Sequence, residues 1–130
     1  MGEQADRRAL NVNVCVMQES RTIEVDFLPE GMHGGALLAV RGTDFVSFYD
    51  WEQCTCVRRI DVTADNIFWN SGGDMLAIVC RDSVYILKYH QDVVSELHAS
   101  GGEADEDGIE AAFEVITEVR YVFKVLLLCS

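Results

Sequence analysis

Two stretches near the start of the chain alternate strictly. Val12, Val14 and Val16 are separated by Asn13 and Cys15, and Ile23, Val25 and Phe27 by Glu24 and Asp26. A period of two is that of a half-buried strand. Gln18-Glu19-Ser20-Arg21 lies between them and is polar enough to turn the chain, so the pair predicts a hairpin. Leu28-Pro29-Glu30-Gly31 and then Gly34-Gly35 act as punctuation. Short strands are predicted at Leu37 to Val40, Phe45 to Tyr49, Val57 to Val62, Ile67 to Trp69, Met75 to Val79 and Val84 to Tyr89. Polar turns such as Arg41-Gly42-Thr43-Asp44 and Arg81-Asp82-Ser83 separate them. Strands of this length with turns between them indicate antiparallel all-β structure.

An internal repeat runs through this region. Leu37-Leu38-Ala39-Val40, a turn and Phe45 to Tyr49 line up with Leu76-Ala77-Ile78-Val79, a turn and Val84 to Lys88, offset by 39 residues. A period of about 40 residues with short strands is the spacing of β-propeller blades. By that spacing the chain supplies about two blades.

The character changes from Gln91 onward. Asp92 to His98 reads as a short helix, Ala99-Ser100-Gly101-Gly102 as a loop, and Glu103-Ala104-Asp105-Glu106-Asp107 as acidic and solvated. Ile109, Ala112, Phe113 and Ile116 then recur at helical spacing. Asp107 stands where an N-cap would, with Glu110 three residues on in the capping-box position. These features predict a helix from about Gly108 to Glu118, its apolar stripe packed on the sheet. The organisation expected is a polar leader over 1–9, a partial propeller over 10–90, an acidic linker over 91–107, and a C-terminal helix with a divergent tail over 108–130.

Composition narrows the function. The 130 residues are 49% hydrophobic with one proline, which suits one packed domain. Ten basic residues face twenty-two acidic ones, a net charge of −12. Such a field repels phosphate and anionic headgroups, so direct binding to nucleic acid is not expected and any membrane role runs through a protein partner. The start, Met1 to Arg8, has no apolar signal core, and Asp6 stands where a myristoylation signal wants serine or threonine. The most apolar stretch, Val119 to Cys129, carries Arg120 and Lys124 and falls short of the ~20 residues a spanning helix needs. Five cysteines, Cys15, Cys54, Cys56, Cys80 and Cys129, read as reduced cytosolic thiols.

Catalytic motifs are missing. The glycine pairs lack the lysine and spacing of a phosphate loop, and neither a zinc-protease helix motif nor a nucleophile elbow occurs. Cys54 and Cys56 form a C-x-C pair with no histidine close by in sequence, short of structural zinc spacing. His33, His90 and His98 have no matching nucleophile. Glu103, Asp105, Asp107, Gly108 and Glu114 match part of a calcium loop, but the first position is not aspartate, Glu110 replaces an apolar residue, and Gly101-Gly102 interrupts the incoming helix. An acidic linker leading into a capped helix is the preferred reading. Phe45, Phe48, Tyr49, Trp51, Phe68, Trp69 and Tyr85 lack the basic surround of a nucleic-acid platform and read as packing between blades. The chain is expected to be no enzyme, with no catalytic, cofactor-binding or metal-binding residue and no cofactor.

Four strings carry a resemblance. Gly34-Gly35 with Leu37-Leu38 and Val40-Arg41, then Phe48-Tyr49-Asp50-Trp51-Glu52 and Arg58-Arg59-Ile60-Asp61, form the first. Ile67-Phe68-Trp69 with Ser71-Gly72, Ile86-Leu87-Lys88-Tyr89, and Glu106 to Glu110 with Ala112 to Val115 are the others. In order and at consistent spacing over roughly Leu10 to Val119, they resemble the coatomer beta-prime family, where its second WD40 propeller meets the WD-associated region.

The resemblance implies an all-β, partial WD40-type β-propeller of about two blades with a short C-terminal helix. It implies a structural role in the COPI vesicle coat, in transport from Golgi to endoplasmic reticulum and within the Golgi. The implied partners are other coatomer subunits, alpha foremost, with an Arf-class small GTPase acting indirectly. The implied location is cytoplasmic, peripheral on Golgi membrane and COPI-coated vesicles. The family's dilysine-binding site lies in its first propeller, so no residue here inherits it. The leader before Leu10 and the residues from Arg120 on depart from the family pattern. The alternative is a WD-type interaction adaptor, or a truncated fragment without function, outside the coat; a calcium-regulated or enzymatic domain is disfavoured by the missing motifs. Two blades alone leave apolar faces and strand edges uncovered, so self-association is expected.

Overall fold

A computed structural model describes residues 10–16, 19–101 and 107–120 of the chain. Strands β1 (Leu10–Val16) and β2 (Glu19–Val25) form an antiparallel hairpin. The hairpin was expected from alternation, but Glu19, Ser20 and Arg21 belong to β2 rather than to the turn. Strands β3 (Gly31–Gly34), β4 (Leu38–Arg41), β5 (Val46–Tyr49) and β6 (Cys56–Ile60) make one antiparallel sheet in that order. Strands β7 (Ala64–Trp69), β8 (Met75–Cys80), β9 (Ser83–Tyr89) and β10 (Phe113–Arg120) make a second. Each sheet is a consecutive four-stranded meander, the form of a propeller blade.

The repeat seen in the sequence is the β4–β5 and β8–β9 pairing. Leu37 and Ala39 in the first blade match Leu76 and Ile78 in the second, and Phe48 matches Leu87; all six are buried in one cluster between the sheets. Phe48 and Ala39 are fully enclosed. Burying an apolar side chain of the size of Phe48 stabilises by about 1.5–3 kcal/mol. On the other face of the first blade, Leu38, Val40 and Tyr49 pack against Ile23 and Val25 of β2. Alternation along β4 thus sends neighbouring residues into two cores.

One α-helix occurs among the described residues, α1 (Gln91–Ser100), where a short helix was expected. Asp92 in its first turn and His98 in its last suit the helix dipole. It stops at Gly101, which takes the left-handed conformation at φ 71°. Val94 is buried and anchors it to the core between the blades.

The helix expected over about 108–118 is corrected here. A 3-10 turn spans Glu110–Ala112, and Phe113–Arg120 is β10, paired antiparallel to β9. The open edge of β9 offers a ladder of backbone partners that an isolated helix cannot match, and Val115, Ile116, Thr117 and Val119 are β-branched. Asp107 caps no helix; its carbonyl accepts from the Arg59 amide at 2.7 Å. Strand β3, read as punctuation from its glycines, is a second departure. The leader, the acidic residues 102–106 and the tail 121–130 lie outside the described residues.

Candidate interaction surface

The chain between β9 and β10 does more than connect them. After α1 it crosses to the first blade, where Gly108 forms a bridge with Arg58 of β6. The Arg59 amide donates to the Asp107 carbonyl, and the Ile109 amide donates to the Val57 carbonyl at 2.8 Å. The chain then turns through Glu110–Ala112 and enters β10 of the second blade. Gly108 has φ +96°, and a Cβ there would collide with the Val57 carbonyl oxygen and the Arg58 backbone. Glycine is the residue that fits both constraints. This clasp fastens the outer strand of one blade to the chain that builds the outer strand of the next.

The blades are also joined by aromatic packing. The Trp69 ring lies directly over Gly35, where no Cβ would fit. Trp69 meets Phe48 and Tyr89 edge-on, with ring centroids 6.2 Å and 6.3 Å away. Phe113 stacks between Phe48 at 4.5 Å and Tyr89 at 5.3 Å. The loop between β5 and β6 is fixed by the Trp51 Nε1, which donates to the Gly35 carbonyl at 2.8 Å.

The aromatic residues read as core packing are mostly so. Phe45, Phe48 and Tyr49 are buried, and Trp51, Trp69 and Tyr85 are half-buried. The Tyr49 hydroxyl is pushed up to about 12 by burial first and then by the neighbouring Cys56 thiol. Phe45 carries the Arg59 guanidinium 3.6 Å above its ring centroid. Phe68 is the exception, 57% exposed.

Its position follows from strand register. Phe68 pairs with Ala77, which pairs with Ile86, which pairs with Thr117 of β10. Asn66, Val79, Val84 and Val119 form the adjacent row. Directly paired residues point to the same side. The second blade therefore turns one apolar face to the first blade and a second, containing Phe68 and Val119, to solvent. A shallow groove of about 280 Å³ runs along it, lined by Phe68, Asn70, Met75, Ala77 and Ile86 among others. Val119 is 53% exposed. Exposed apolar surface on a sheet makes this face a candidate for interaction. The sequence predicts uncovered apolar faces on two lone blades but assigns Phe68 to packing between them, because alternation tells that two faces exist, not which has a cover.

The remaining candidates have structural surroundings. His33 accepts a hydrogen bond from Arg41 at 3.0 Å, and His90 Nε2 lies 2.9 Å from Glu114 Oε1. His98 lines a cleft of about 400 Å³ between α1 and the β5–β6 loop, with Asp50 and Trp51 opposite. Cys54 is half-buried, Cys56 exposed and Cys80 buried, and all three are free thiols. Burial, and then Asp65 and Asp82, push the Cys80 thiol up from its ordinary value. Among the described residues no cluster of His, Cys, Asp or Glu is arranged to hold a metal ion. Of the partial calcium loop, Glu103 and Asp105 lie outside the described residues, and Glu114 is engaged with His90. No helix among the described residues is long and apolar enough to cross a membrane.

Known proteins resemble the chain over most of its length. The family model described as COPA/B second beta-propeller matches residues 5–125. "Coatomer subunit beta'-1" of Oryza sativa is 48% identical over 103 residues, 79% of this chain and 11% of the relative. "Coatomer subunit beta'-1" of Arabidopsis thaliana is 46% identical over the same share of this chain and 11% of its own length. "Coatomer subunit beta'" of Rattus norvegicus is 37% identical over 107 residues, 82% of this chain and 12% of the relative. The chain thus spans about a tenth of the length of these relatives.

Proposed function

The chain belongs to the COPA/B second β-propeller family, and from that premise we propose that it is a structural component of the COPI vesicle coat. The observation that carries the reading is the match of the family model across both four-stranded blades. On this reading the work is non-covalent assembly, with no reaction catalysed. Packed β-blades are rigid, and the outward face around Phe68 is the surface against which a neighbouring blade seats. The transport steps served are Golgi to endoplasmic reticulum and within the Golgi. The partners are other coatomer subunits, alpha foremost, with an Arf-class GTPase acting indirectly. The location is the cytoplasmic side of Golgi membrane and COPI-coated vesicles.

Coat membership is tested by affinity capture of the tagged full chain from cytosol, followed by identification of what comes with it. Other coatomer subunits in stoichiometric amounts are expected. Capture of unrelated proteins without them would replace this reading by that of an adaptor outside the coat. Capture of nothing would leave the fragment without a coat role.

A further inference from the structure

Arg41 joins three segments beside the inner strands of the two blades. It ends β4 and pairs with Gly31 of β3. Its Nε donates to Nε2 of His33 at 3.0 Å, Nη1 to the Ala64 carbonyl at 3.2 Å, and Nη2 to the Glu30 carbonyl at 3.3 Å. Ala64 is the first residue of β7, so the second of these bonds passes from one blade to the next. The guanidinium occupies the space where a Cβ on residue 31 would stand. Glycine there lets the side chain lie flat on β3.

A ring nitrogen that accepts from a guanidinium must keep its lone pair. The His33–Arg41 bond therefore exists only with a neutral imidazole. Protonation removes the acceptor and sets one cation beside another, which is repulsive. We propose that His33 and Arg41 form a pH-sensitive tie: protonation of His33 displaces the guanidinium and breaks its bond to Ala64 across the blade joint.

The charges around His33 leave this outcome in place. Arg41 is the charged group from β4. Glu30, ahead of β3, turns its carboxylate to the Thr43 hydroxyl at 3.1 Å. On β7, Asp65 follows Ala64 and is exposed. Burial first, and then the Arg41 charge, lower the His33 pKa from its ordinary value of 6.5. The neutral form belongs to the folded state. The tie is complete above 6.5 and is lost as the pH falls from there through the lowered value.

The test is an NMR titration of the full chain from pH about 7.5 to about 5, following the His33 ring, the Arg41 Nε–H and amide exchange. The Arg41 Nε–H is expected to lose its protection in the same step in which His33 titrates. Exchange in β3 and β7, taken relative to the intrinsic amide rate at each pH, is expected to rise about tenfold, the equivalent of one charged hydrogen bond lost, with a smaller change in β8 and β9. His33→Gln keeps an acceptor that does not titrate and is expected to abolish the step. A His33 titration that leaves the Arg41 Nε–H and the β3 and β7 amides unchanged would overturn the proposal. So would an identical acid step in His33→Gln. If that variant does not fold, the wild-type titration decides alone.

Discussion

The amide of Ile109 donates to the carbonyl of Val57 at 2.8 Å, although 52 residues and a complete sheet boundary separate them along the chain. That bond, with the one from Arg59 to Asp107, makes the outer strand of the first blade an attachment point for the chain that completes the second. The two blades are therefore coupled at both margins: by the clasp on β6 at the outside, and by Trp69, Gly35 and Arg41 nearer the inner strands.

Gly108→Ala is expected to destabilise the chain by about 3 kcal/mol, from a strained positive φ and the loss of the clasp's hydrogen bonds. The new Cβ meets backbone of Val57 and Arg58, which cannot turn aside as a side chain would. Gly101→Ala also places alanine at positive φ, but nothing lies within 4 Å, so only about 1 kcal/mol is expected. Urea unfolding of the two variants checks the difference. Equal losses would mean that the contact with β6 contributes nothing.

Gly35→Ala is expected to cost about 1–3 kcal/mol by overpacking against the Trp69 ring. The ring has to shift from its edge-on contacts with Phe48 and Tyr89, so near-UV circular dichroism should weaken together with stability. An unchanged spectrum would show that Trp69 does not depend on a bare backbone at 35.

Phenylalanine has opposite worth at two positions. Phe48 is fully buried, and Phe48→Ala is expected to cost about 3–5 kcal/mol. Phe68→Ser, on the outward face, is expected to change stability by less than about 1 kcal/mol. It should also lower self-association of the isolated chain, read by light scattering across a concentration series. Association undiminished in Phe68→Ser would remove that face as its cause.

Alkaline pH acts through Tyr49. Its pKa rises from 10.0 to about 12 in the folded protein, chiefly through burial. The folded state keeps the proton longer than the unfolded state. Its contribution to stability is full below 10 and is lost as the pH climbs toward about 12. Unfolding midpoints measured across that window should fall less in Tyr49→Phe than in the wild type. Matching slopes would assign the loss to other groups.

Six strands of the two blades and the N-terminal hairpin were legible because their cause is local. Short apolar runs between polar turns, repeated after 39 residues, leave few other ways to bury Leu37, Ala39, Phe48 and their counterparts Leu76, Ile78 and Leu87. A short helix was legible over Asp92 to His98; in the structure it runs Gln91–Ser100, with Val94 and Leu97 on the core and Gly101 at its end. The charge of −12 and the missing motifs likewise belong to the sequence.

Tertiary structure decided the rest. Ile109, Ala112, Phe113 and Ile116 are spaced for a helix, yet the free edge of β9 and the slot between Phe48 and Tyr89 draw Phe113–Arg120 into a strand. Gly31 to Gly34 looks like a break until the Arg41 guanidinium lies on Gly31 and makes β3 the inner edge of a blade. Phe68 and Phe48 are the same residue type in similar strands, and only the stacking of sheets covers one and leaves the other bare. A period in the sequence specifies which residues share a face. What that face meets depends on a partner distant along the chain, and no local pattern encodes it.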